Sequence, residues 1–148
     1  MKNVSVYNGK GIRVDKISVH SIVKLITSEL NLYVKSLEFN FISSKTITEV
    51  NKNYLKHNYS TDIITFDYSD EKNILDGEIF ISIQDAVENS KKYRVSSDNE
   101  LLRLIIHGIL HLIGLDDTTD AKRKKMKIAE NDLVGKFQKF SKGLLIKQ

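Results

Sequence analysis

Two histidines stand four residues apart in the segment His107-Gly108-Ile109-Leu110-His111-Leu112-Ile113-Gly114-Leu115-Asp116-Asp117. On a helix this spacing puts both imidazoles on one face. Gly114 follows three residues later and is suited to the left-handed conformation that ends a helix. The chain then turns back and brings Asp117 toward both rings. Two imidazoles followed by a glycine turn and a third donor is how several hydrolases hold a catalytic zinc, with three protein groups and one open position. The expected cofactor is one Zn2+ per chain, held by His107, His111 and Asp117, and the expected chemistry is metal-dependent hydrolysis.

The competing reading makes the histidines ordinary core residues, each bonded to a backbone carbonyl, because every buried ring nitrogen needs a partner. The glycine turn and the acid at the third position favour a shared ion. Asp117 is the expected ligand on spacing; it is also placed to cap the next helix, and Asp116 is able to exchange roles with it. Gly108 stands where zinc proteases of this spacing carry a glutamate general base. Peptide hydrolysis by that route therefore lacks its proton acceptor. Arg103, one turn before His107 on the same face, either holds a phosphate beside the metal or pairs with a carboxylate. Glu100 lies two turns before His107 and is expected to close a capping box with Ser97.

The elements that must position these groups show in the periodicity of the chain. Strands are expected at Val4 to Tyr7, Leu37 to Ile42, Asp62 to Asp67 and Glu78 to Ile83, with Gly9 and Gly11 marking a short hairpin or loop and Asn73 to Gly77 a turn. Helical spacing covers Lys16 to Asn31, Ser44 to Leu55, Asp85 to Tyr93, Ser97 to Ile113 and Thr119 to Phe140. The fourth of these helices is apolar on nearly every side and should be the buried centre. Met126, Ala129, Leu133 and Phe137 form the inner stripe of the last. The expected fold class is α+β: a single domain over residues 1–148, with a short mixed sheet packed with helices around a buried central metal-binding helix.

At 148 residues the chain is long enough for a real core, and its composition, 41% hydrophobic and 28% charged, is that of an ordinary globular domain. The absence of cysteine removes disulfides, leaves a metal site to histidines and carboxylates, and fits the cytoplasm. The longest apolar run, Leu101 to Leu115, is interrupted and too short to span a bilayer. Met1 to Val6 has no apolar signal core, and a cytoplasmic location is expected. The net charge is +4, unevenly spread: from Ala121 to Gln148 nine Lys and Arg (Lys122, Arg123, Lys124, Lys125, Lys127, Lys136, Lys139, Lys142, Lys147) face only Glu130 and Asp132. Such a segment suits a polyanion such as RNA, or is simply a solvated helix face.

With these residues in place the chain resembles the YbeY family of bacterial rRNA maturation factors. The family motif H-G-x-L-H-L-x-G-[YF]-D-H is matched at His107, Gly108, Leu110, His111, Leu112, Gly114 and Asp116. An upstream family segment, L-N-x2-Y-R-x2-D-x-P-T-D-V-L-S-F, has its counterpart in Asn51, Tyr54, Thr61, Asp62 and Phe66. The strand signature G-[DE]-I-x-I-S is present as Gly77 to Ser82. The resemblance covers roughly residues 35–120. It implies a zinc-dependent endoribonuclease acting on single-stranded RNA, in 16S rRNA 3′-end maturation and ribosome quality control, with the small ribosomal subunit as partner. Its three ligand positions fall on His107, His111 and residue 117. The chain departs from the pattern where Asp117 replaces the third histidine, Leu55 an arginine and Ser60 a proline. Asp62 is then a candidate for orienting water or a ligand, or a strand-edge acceptor. Arg103, Lys56 and His57 are the candidate phosphate contacts. A second reading keeps the family but makes the protein a ribosome-associated RNA-binding factor with a structural metal.

Overall fold

The computed structural model describes residues 2–56 and 61–146. His57, Ser60 and Lys147 lie outside the described residues. The elements run β1 (Val4–Asn8), α1 (Lys16–Glu29), β2 (Tyr33–Ile42), α2 (Ser44–Leu55), β3 (Ile63–Asp67), β4 (Ile74–Ser82), α3 (Ile83–Tyr93), α4 (Ser97–Leu112) and α5 (Asp120–Phe137), followed by a 3-10 turn at Gln138–Phe140. The four strands form one mixed sheet in the order β1-β2-β4-β3. β1 and β4 run parallel to β2, and β3 is antiparallel to β4. This is the α+β domain expected from the sequence.

The strands alternate as two-faced sheets must. Val4, Val6, Leu37, Phe39, Phe41, Leu75, Ile79 and Ile81 face the main core, where they meet α1, α4 and α5. Ile42, Ile64, Phe66 and Phe80 turn to the other face and pack with Ile47 and Val50 of α2. The loop at Gly9 leads into α1 rather than back along a hairpin, because β1 pairs parallel to β2 and a parallel pair needs a crossover.

Glycine accounts for the largest departure from the sequence reading. Asn73 to Gly77 reads as a turn, yet Ile74 to Gly77 belongs to β4. Gly77 pairs with Leu37 of β2 and Asp67 of β3, and the strand needs glycine there because a Cβ would collide with the Phe66 carbonyl oxygen and lie 3.0 Å from Leu112 of α4. A second correction concerns the start of α4. Its cap is Ser96, whose hydroxyl accepts from the Asn99 N–H at 3.0 Å. Ser97 is the first helical residue, so Glu100 is not in a capping box and turns inward, 3% exposed. Asp98 reaches instead to the C-terminal segment and accepts from the Gly143 and Leu145 N–H groups at 2.9 and 2.8 Å.

The same crowding explains Gly108. A Cβ at this position would stand 2.9 Å from the Ile79 Cδ1 and 3.2 Å from the Ile63 Cδ1. α4 thus lies directly on β3 and β4, and the position that carries the general base in zinc proteases is packed tightly against the sheet. Gly108→Glu would force a carboxylate into this contact. It is expected to cost about 3 kcal/mol or more through overpacking and burial of an unpaired charge, read as a lowered midpoint in urea unfolding, and to create no peptidase. Stability equal to wild type would refute the packing argument.

Candidate active site

Four polar side chains, Glu100, Arg103, His107 and His111, lie at spacings of three, four and four along α4, whose other residues from Leu101 onward are apolar or glycine. They form one stripe that adjoins the face carrying Gly108. The helix then ends as Gly114 requires. Its φ is +100°, its N–H donates to the His111 carbonyl at 3.1 Å, and the Leu115 N–H donates to the Leu110 carbonyl at 3.0 Å. This is the Schellman arrangement of bonds, and it reverses the chain so that residues 116 and 117 return toward the stripe.

The two aspartates of the turn have separate roles. Asp116 accepts from the Thr118 N–H at 3.1 Å, the Thr118 hydroxyl at 2.9 Å and the Lys122 ammonium at 3.3 Å. The bond from the Thr118 N–H, with those from the Thr118 hydroxyl and Lys122, holds it below the usual carboxylate range. The cap of α5 is Thr119, whose hydroxyl accepts from the Lys122 N–H. Asp117 is therefore free of capping. Its backbone carbonyl accepts from Arg123 at 3.1 Å, and its carboxylate oxygens lie 3.8 Å from the His107 Nε2 and 3.7 Å from the His111 Nε2.

These separations are too long for good hydrogen bonds. They are close to the roughly 3.4 Å between two ligands of one tetrahedral ion with bonds of about 2.0–2.1 Å. One donor atom from each of His107, His111 and Asp117 falls within 4.8 Å of the others. The donor set fits a divalent metal: two imidazoles and a carboxylate converge, and nothing in the turn competes for Asp117.

A residue that the sequence reading passed over completes the centre. Glu130 of α5, with a side chain only 7% exposed, accepts from the His107 Nδ1 at 2.5 Å and from Arg103 at 3.2 Å. With Nδ1 committed to a carboxylate, the lone pair of His107 is left on Nε2, the atom that faces Asp117. This is the carboxylate–histidine arrangement that orients metal ligands. Burial works against a charged His107, but the Glu130 bond and the Asp117 and Asp62 charges outweigh it and raise its pKa. His111 moves the other way, lowered by burial and by the His107 charge. Burial alone would raise Glu130; the His107 bond and the Arg103 pair lower it. A signal for Glu130 exists in the sequence. It lies four residues after Met126 and three before Leu133, so it is a carboxylate on the buried stripe of a basic helix.

The other nominated residues are distributed around a cleft of about 880 Å3 lined by α4, the β3 start and the ends of α2 and α3. Asp62 is in the cleft, outside the three-donor cluster, and accepts from the Asn89 amide at 3.1 Å. Burial raises its pKa against the opposing His107 charge. Asn89 also bonds Glu100, whose pKa burial raises as well. Arg103 lines the cleft and is paired with Glu130 and Asn131, the carboxylate alternative of the two left open by the sequence. Lys56 ends α2 in a left-handed conformation, φ +58°, and the cleft wall at this point is Leu55.

A mixed sheet carrying a central helix with a His/His/Asp donor set defines the molecule as a small α+β domain built around a candidate metal centre. The model of the family described as Endoribonuclease YbeY matches residues 8–138. Endoribonuclease YbeY of Bacteroides fragilis is 41% identical over 128 residues, covering 84% of this chain and 91% of that protein. The protein of the same name from Chlorobaculum tepidum is 34% identical, covering 86% and 93%. The chain belongs to the YbeY endoribonuclease family. A solution structure from Thermotoga maritima shares the fold, with a TM-score of 0.62 at 22% identity and 92% of each chain covered.

Two outcomes follow from this geometry. Glu130→Gln removes the carboxylate that orients His107, and metal affinity measured against a competing chelator is expected to fall roughly 10- to 100-fold with the far-UV spectrum unchanged; wild-type affinity would remove Glu130 from the centre. Glu100 binds its proton more tightly folded than unfolded, so its contribution to stability declines as pH rises through and above the ordinary carboxylate range. Glu100→Gln should therefore raise Tm at about pH 7, with the gain shrinking toward about pH 4. A gain that does not vary with pH would contradict this assignment.

Proposed function

We propose that the protein is a zinc-dependent endoribonuclease acting on single-stranded rRNA, in 16S 3′-end maturation and ribosome quality control. The observation that carries this reading is the convergence of His107, His111 and Asp117 in an open cleft of a chain belonging to an endoribonuclease family. The imidazole-rich donor set favours zinc, and an rRNA substrate on the small subunit puts the activity in the cytoplasm. Among the described residues no helix is long and apolar enough to cross a membrane.

Bound at this centre, zinc would polarise a phosphoryl oxygen and activate water for attack on the phosphodiester. The protein's own groups do the rest. Glu130 keeps His107 in one tautomer, and Arg123 pins the backbone of Asp117. Asp62, its pKa raised by burial and its carboxylate bonded by Asn89, would orient a water or exchange a proton in the cleft. Arg103 is a positioning residue: it holds Glu130, which in turn orients His107.

Leu55 in the cleft wall, where the family carries arginine, favours a second reading, a ribosome-associated RNA-binding factor with a structural metal. One experiment separates the two. Untagged protein should carry about one zinc per chain, reduced in Asp117→Ala, and should cleave a single-stranded RNA. Chelator and His111→Ala should each lower the rate by at least about 100-fold. Activity that survives both would sink the zinc mechanism. Small-subunit binding without cleavage, unchanged in His111→Ala, would establish the binding factor.

A further inference from the structure

The side chains lining the cleft divide by chemistry. The ends of α2 and α3 and the turn that follows contribute Leu55, Tyr93 and Val95, all large apolar side chains left exposed at 43, 58 and 40%. α5 contributes Arg123 and Lys127. α4, with the histidines, lies between these walls because α3 and α5 both pack against it. Single exposed apolar side chains need no explanation, but three at the mouth of one polar cleft mark a binding surface.

The cations are not equivalent. Arg103 is engaged by Glu130 and Asn131, and Arg123 by Asp120 and the Asp117 carbonyl. The Lys127 ammonium makes no hydrogen bond or ion pair among the described residues. One wall thus offers a flat aromatic ring with apolar flanks and the other an uncommitted ammonium, with the donor cluster between. The Lys92 ammonium, 5.5 Å from the Tyr93 ring centroid, adds positive charge at the aromatic wall. A nucleotide of a single strand has the complementary division, an exposed π-face on the base and an anionic backbone. A duplex covers its base faces and does not.

We propose that the cleft seats a nucleotide of single-stranded RNA with its base against Tyr93, flanked by Leu55 and Val95, and a backbone phosphate at Lys127. This rests on the RNA-processing reading above and deepens it: strand selectivity resides in Tyr93, and the electrostatic hold that the missing arginine would supply resides on α5.

The test uses the metal-loaded full chain and a labelled single-stranded RNA about ten nucleotides long. Anisotropy at early times reads binding, and a gel of the same samples reads cleavage. Tyr93→Ala is expected to weaken binding roughly 5- to 150-fold, the loss of one stacked base, while Tyr93→Phe retains it and affinity for a duplex of the same length does not change in either. Lys127→Ala should reduce the dependence of log affinity on log salt by about 0.7. Wild-type affinity in Tyr93→Ala, an equal loss for the duplex, or an unchanged salt slope in Lys127→Ala would overturn the seat. Binding with these dependences but no cleavage would overturn the nuclease reading and leave the seat standing. Cleavage by a Tyr93→Ala protein of undiminished affinity would do the reverse.

Discussion

Helix α4 is the central packing element and also carries a charged and titratable stripe, and these two requirements are in tension. Its Gly108 side meets Ile63 and Ile79 so closely that no side chain fits. Glu100, Arg103, His107 and His111 occupy the adjoining face, buried or half-buried, where an unpaired polar group costs several kcal/mol. The partners come from distant parts of the chain: Asn89 of α3, Glu130 and Asn131 of α5, and Asp117 of the turn. The placement of α3 and α5 against α4 is thus an electrostatic requirement as well as a hydrophobic one. The centre and the fold satisfy the same constraint.

That constraint explains the division of labour among the carboxylates. Asp116 is half-buried, bonded within its own turn and stiffens the reversal after Gly114. Asp117, one residue later, is left to face the imidazoles. Glu130 serves His107 from behind. Asp62 and Glu100 share Asn89 and are both pushed toward the protonated form by burial. Four carboxylates line a cleft whose nearby guanidinium groups are already engaged, so the site is poised for a cation and is a poor host for RNA phosphate without one. Metal occupancy and substrate affinity are therefore coupled in this reading by elementary electrostatics.

The departures from the family pattern acquire physical meaning in this setting. Asp117 in place of histidine puts an anionic donor beside two imidazoles, which lowers the charge of a metal site relative to a three-histidine set. Arg123, one turn into α5, holds its backbone. Leu55, at a position where the motif that the chain resembles has arginine, makes this part of the cleft wall apolar, and Lys127 of α5 lines the same cleft.

Much of this was legible in the linear chain because its causes are local. The period of the apolar residues placed five helices and four strands, the H-x3-H spacing put two imidazoles on one face, and Gly114 marked the reversal that delivers Asp117. Local rules failed where a residue answers to a neighbour far along the chain. Gly77 reads as a turn until the Phe66 carbonyl and Leu112 are seen against it. Glu100 reads as half of a cap until Ser96 takes that role and the helix turns Glu100 inward. Glu130 reads as one acid among lysines until His107, twenty-three residues earlier in the chain, is found bonded to it. The choice between Asp116 and Asp117, and between phosphate and carboxylate for Arg103, likewise waited on tertiary contacts. Backbone geometry and hydrophobic period act over a few residues and can be read in order. The partner that satisfies a buried charge is chosen by packing in three dimensions, and no spacing along the chain records it.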